Sequence, residues 1–149
     1  MTKQTESPPL PLHESDETAW LELTAGLIAQ GRFDEIDQAA LAEYLTDMAK
    51  RDRREVASRL TLLLAHLLKW QHQPEHRSNS WRATILSQQH ELEDWLDSAT
   101  LRKHAEEILA NSYGKAVQQA AAETGLSVDN FPEACPYSIE WLLSNNLPE

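Results

Sequence analysis

A chain of 149 residues with 41% apolar and 25% charged side chains has the size and balance of one ordinary globular domain, able to bury roughly two thirds of the surface it exposes when unfolded. Its net charge of −11 disfavours a general nucleic-acid binder, because a polyphosphate is repelled at long range. The one cysteine, Cys135, excludes an intramolecular disulfide and lacks the paired spacing of a zinc or redox motif, and the four glycines leave few turns and therefore long helices.

Pro8, Pro9 and Pro11 among polar residues forbid a regular start, so residues 1–14 read as a flexible or extended arm and residues 15–149 as a single α-helical domain. Ser15 is a candidate cap for a first helix with Asp16 and Glu17 in its opening turn and Trp20, Leu23 and Leu27 at helical spacing, until Gly31 stops it. Residues 32–73 contain neither Gly nor Pro. Leu41, Leu45 and Met48 mark one stripe, the charged block of residues 50–54 interrupts it, and Asp52 with Glu55 resembles a capping box, so two helices with a break near residues 50–52 are expected.

The next helix is the most apolar. Val56, Leu60, Leu63, Leu67 and Trp70 step by four and three, and Leu62, Leu64 and Leu68 widen the stripe beyond one face, which predicts the central helix of the fold. Pro74 ends it, and Ser78 or Ser80 caps a helix lined by Trp81, Ile85, Leu92, Trp95 and Leu96. Ser98 or Thr100 opens a fifth, with Leu101, Ala105, Ile108, Val117 and Ala121 on one side and Gly125 where a left-handed terminating residue is wanted. The tail packs Phe131 and Tyr137 irregularly and forms a short helix around residues 138–144. No alternating strand pattern and no internal repeat is present. The fold class is all-α, a single helical bundle of about five main helices and a short C-terminal one.

The stretch LLLAHLLKWQHQPEHRSNSWRATI, preceded by GRFDEID and followed by AAAETGL and FPEACPY, resembles the bacterial domain of unknown function 29 family from about Glu17 to the C-terminus. Residues 62–85 carry the most specific part. The resemblance implies an all-α cytoplasmic protein of bacteria, cyanobacteria especially, and carries over no catalytic or binding residue. Independently, residues 1–15 lack an apolar stretch behind a basic start, and the densest apolar run, residues 62–65, stops at His66. No membrane segment is expected, and a reduced, cytoplasmic location fits the lone cysteine.

The charge is unevenly spread: residues 1–49 hold 10 acids and 2 bases, 50–90 hold 3 and 8, and 91–149 hold 11 and 3. Only the middle third can attract an anion. In it, Arg77, Ser78, Ser80 and Arg82 gather at a helix start, where unpaired N–H groups and the dipole favour a phosphate or carboxylate. The plainer reading is that serine caps, Trp81 packs and the arginines pair with acids or cap the preceding helix. Arg53 and Arg54, in the basic block, are further candidates for holding an anion.

Arg59 and His66, seven apart and close to one helix face, fit the loose arginine–histidine pattern of HEPN-type ribonucleases, in which the arginine would stabilise a phosphate and the histidine move a proton. The competing reading is a hydrogen-bonded packing histidine beside the leucine stripe, and no catalytic residue is assigned. His72 and His76 have two-ligand spacing, but Pro74 between them prevents a shared helical face, so no metal and no cofactor is expected. Cys135, ahead of Pro136, reads as a small packed side chain, and the tryptophans as core.

With no Gly-rich phosphate loop, closed metal set or nucleophile elbow, the leading expectation is a protein–protein interaction module, an adaptor or antitoxin-like neutraliser, its acidic flanks suited to a basic partner. The alternatives are a ribonuclease using Arg59 and His66 and a bundle that binds an anionic small ligand. An enzyme is the less favoured class, and a homo-oligomer is left open.

Overall fold

The computed structural model describes residues 10–149. Of the described residues 78% are helical, and no strand occurs among them. Six helices are present among them: α1 (Leu12–Ser15), α2 (Glu17–Ala29), α3 (Gln38–His72), α4 (Asn79–Trp95), α5 (Ala99–Thr124) and α6 (Ile139–Leu143). The all-α expectation holds. Pro8 and Pro9 of the expected arm lie outside the described residues, while Pro11 directly precedes the one-turn helix α1.

The expected break near residues 50–52 does not occur, because α3 runs unbroken for 35 residues. The block of residues 50–54 holds Lys, Arg and Asp but no Gly or Pro, and Lys and Arg have high helix propensity. Asp52 therefore stays helical instead of capping. The interruption in the apolar stripe marks a different boundary: the chain divides into two compact units, the first ending at Met48 and the second spanning Ala49–Glu149.

In the first unit, Asp16 rather than Ser15 caps α2, accepting from the Ala19 N–H at 3.1 Å. The Trp20 ring meets Tyr44 edge-on with centroids 5.7 Å apart, and the His13 ring lies tilted at 5.7 Å. Gly31 takes the left-handed conformation after α2, as a helix-terminating glycine does.

The second unit is built on the C-terminal part of α3. Val56, Leu60, Leu63, Leu64, Leu67 and Leu68 are fully buried, joined by Ile85 and Leu92 of α4, Ala105, Tyr113, Ala116 and Ala120 of α5, and Ile139 and Leu142 of α6. Ser78, Ser98 and Ser138 cap α4, α5 and α6 through their hydroxyls, and Gly125 ends α5 at φ 75°. The alanines at 116 and 120 put the α5 backbone close to the core, since neither carries more than a methyl group to hold it off.

The irregular C-terminal segment is fastened at several points. Tyr137 donates its hydroxyl to Gln71 at 2.7 Å, its ring stacks on Trp141 at 4.6 Å, Gln89 donates to the Asn146 carbonyl and Trp70 to the Pro148 carbonyl, each at 3.1 Å. Buried Gln89 and half-buried Trp70 thus satisfy their donors on tail carbonyls.

Candidate functional site

An open groove of about 580 Å³ lies between α3 and α5 in the second unit. From α3 it takes Arg53, Arg54, Ala57, Ser58, Thr61 and Leu62; from α5 it takes His104, Ile108, Asn111, Ser112, Lys115 and Gln119. The α5 positions step by four and three, so one helical stripe supplies that whole wall. Ala57, Leu62 and Ile108 supply the apolar part of the lining, and the remaining side chains carry donors.

The electrostatics of this groove run against those of the chain. Arg53, Arg54 and Lys115 are its charged groups, and none of its lining residues is an aspartate or glutamate, although the chain has 24 acids against 13 bases. Arg53 is half-buried and directs one Nη toward the Ala49 carbonyl at 3.5 Å. Arg54 and Lys115 are exposed. Three fixed cations around an apolar strip with hydroxyl and amide donors can hold carboxylates or phosphates and pack the apolar part of whatever bears them.

Of the residues singled out in the sequence, Arg53 and Arg54 come together here. Arg77 and Ser78 are engaged elsewhere: Arg77 donates its Nε to the Trp70 carbonyl at 2.8 Å and lies 4.8 Å over the Trp70 ring, closing the end of α3, while Ser78 accepts the Trp81 N–H at 3.1 Å. Ser80 and Arg82 stand exposed in the first turn of α4.

Arg59 turns toward α4. It lies 2.8 Å from a Glu55 carboxylate oxygen, in ion-pair range but not aligned for a hydrogen bond, donates to Gln88 at 3.3 Å and approaches Glu91 at 3.8 Å. His66 is half-buried, its Nδ1 lies 3.0 Å from the Leu62 carbonyl, and burial lowers its pKa. Neither side chain lines the α3–α5 groove.

Among the described residues no group of three or more His, Cys, Asp or Glu side chains could hold a metal ion. His72 meets Phe131 edge-on at 5.0 Å, with its Nε2 buried and without a hydrogen-bond partner among the described residues, and burial depresses its pKa. Cys135 directs its thiol to the Tyr137 carbonyl at 3.3 Å, and burial pushes the thiol pKa up, away from the thiolate a nucleophile needs.

Sequence reasoning missed Lys115, His104 and Asn111, which sit 50 to 62 residues from Arg53 and Arg54 in the chain. The signal was present as a polar stripe at spacing four and three along α5, but only packing decides which α3 residues face it. It also missed Lys69, only 7% exposed, which pairs with Glu123 at 2.7 Å and lies 5.2 Å from the Trp81 ring centroid.

These features define an all-α protein whose open basic groove interrupts an otherwise acidic sequence, and among the described residues no helix is long and apolar enough to cross a membrane. The family described as Domain of unknown function DUF29 matches residues 12–147, and the chain belongs to it. No curated protein and no solved structure matches the chain.

Proposed function

We propose that this chain is a protein-interaction module whose α3–α5 groove holds an acidic, amphipathic segment of its partner. The observation that carries the reading is the carboxylate-free lining around Arg53, Arg54 and Lys115 on a chain of net charge −11. The charge of the groove points to an acidic segment, where the sequence alone favoured a basic partner.

Shape and chemistry support a peptide over the alternatives. Along α5 the lining runs from His104 to Gln119, about 20 Å at the helical rise, which suits a helix of three to four turns laid in a groove. A drug-sized ligand is usually enclosed over most of its surface, and this groove is open. Single-stranded nucleic acid binds on aromatic stacking platforms, and no Phe, Tyr or Trp lines the groove, whose one ring is the His104 imidazole.

The test is a fluorescence titration with a synthetic helical peptide carrying Glu and Leu on one face, against a peptide with Lys in place of Glu and an RNA oligonucleotide. The acidic peptide should bind saturably, more weakly at higher salt, and an Arg54→Glu/Lys115→Glu variant should lose it while keeping its helical circular dichroism. Equal binding of the Lys peptide or the RNA, or unchanged binding by the variant, rules the reading out.

A further inference from the structure

The first unit has a surface with the complementary chemistry. Between residues 10 and 48 the sequence has nine acids and one base, Arg32, and that base is already paired with Glu35. Glu14, Glu17, Glu43 and Asp47 border a cleft of about 160 Å³ beside Trp20 and Tyr44, with no lysine or arginine in its lining. Carboxylates beside aromatic rings favour a guanidinium or ammonium group.

The same unit exposes most of the large apolar side chains that reach solvent. Leu10, Leu12, Leu23, Ile28, Phe33 and Leu45 are each at least 40% exposed, against Leu86 and Val128 among the described residues of the second unit. Exposed Glu17, half-buried Leu21 and exposed Ile28 lie on one stripe of α2, at intervals of four and seven, with buried Thr24 at its inner edge. This helix of 13 residues is about 20 Å long, the length of the groove wall on α5. It carries two acids, Glu17 in its first turn and Glu22 near its middle, several aliphatic side chains and no base.

We infer that the partner is a second copy of this chain: α2 and its acidic cleft from one copy dock on the α3–α5 groove of the other. This rests on the groove reading above and names its occupant. Ile28 and Leu21 of one copy meet Ala57, Leu62 and Ile108 of the other, and Arg54 and Lys115 at the rim face Glu17 and Glu43. When the same two copies each give to and receive from the other, the two contacts are equivalent and related by a two-fold axis.

Charge exchange tests it on the full chain. Wild type should show twice the chain mass in size-exclusion light scattering at low salt and move toward the monomer mass at high salt. Arg54→Glu/Lys115→Glu and Glu17→Lys/Glu43→Lys, all at exposed positions, should each be monomeric alone, because like charges then face each other. Mixed, they should recover the doubled mass, since every groove again meets a surface of opposite sign. Wild type that is monomeric across the concentration series, or a mixture no larger than its components, overturns the second copy as occupant. The groove reading falls separately, by the peptide titration.

Discussion

At the scale of single residues, the second unit contains ionisable groups whose burial makes them sensitive to their partners. Lys69 is held by Glu123 and the face of Trp81, and its hydrogen bond lowers the pKa of the Glu123 carboxyl. Removing Glu123 leaves an ammonium in a mostly dry site, so Glu123→Ala should cost about 1–2 kcal/mol in urea unfolding, the low end of such losses because Glu123 itself is partly open to water. Lys69→Met, which keeps an unbranched chain over Trp81 and removes the charge, should cost less. His66 and His72 both have pKa values lowered by burial from the ordinary 6.5. The unfolded chain then binds more protons than the folded one below that value, so stability is fully present above pH 6.5 and is lost as pH falls. His72→Phe should flatten the decline in melting temperature between neutral and mildly acid pH. A slope identical to wild type would show that its buried Nε2 is not what the proton seeks.

At the scale of elements, α3 corrects an inference that rested on charge pattern. A capping box and a break in the apolar stripe are local signals, and they compete with the helix propensity of an uninterrupted Lys- and Arg-containing run. Continuity predicts that Lys50→Gly, at an exposed position inside the helix, lowers stability by about 1 kcal/mol; a position in a loop would tolerate glycine without loss. Leu64, fully buried on the same helix, should cost about 3 kcal/mol or more on truncation to alanine, from lost burial and the cavity left behind. The caps of α4 and α5 were legible to within two candidates each because they are short-range: Ser78 and Ser98 sit immediately before their helices and bond three residues on. Asp16 displaced Ser15 from the same role because α1 already includes Ser15.

At the scale of the whole molecule, charge segregation is the feature with functional reach. The sequence's acid-rich flanks and basic middle become, in space, an acidic unit with exposed apolar side chains and a groove whose charged lining is cationic. If that segregation drives association, the dimer should weaken with ionic strength far more than a purely apolar contact would, since exposed charges are screened over roughly 8 Å at physiological salt. Light scattering at two salt concentrations reads this directly; a dimer indifferent to salt would point to the apolar residues alone.

The sequence by itself determined the helical class, the core stripe of α3, the ends set by Pro74, Gly31 and Gly125, and the resemblance to the family to which the chain belongs. These depend on periodicity, backbone conformation and side-chain chemistry within a few residues of one another. Only the tertiary structure decided the groove, because Arg54 and Lys115 meet through the packing of α3 and α5. It likewise brought Arg77 over Trp70 and turned Arg59 to Gln88 and Glu91 of α4. Which cations remain available to a partner depends on where the helices place their neighbours, and that is a property of packing, not of order along the chain.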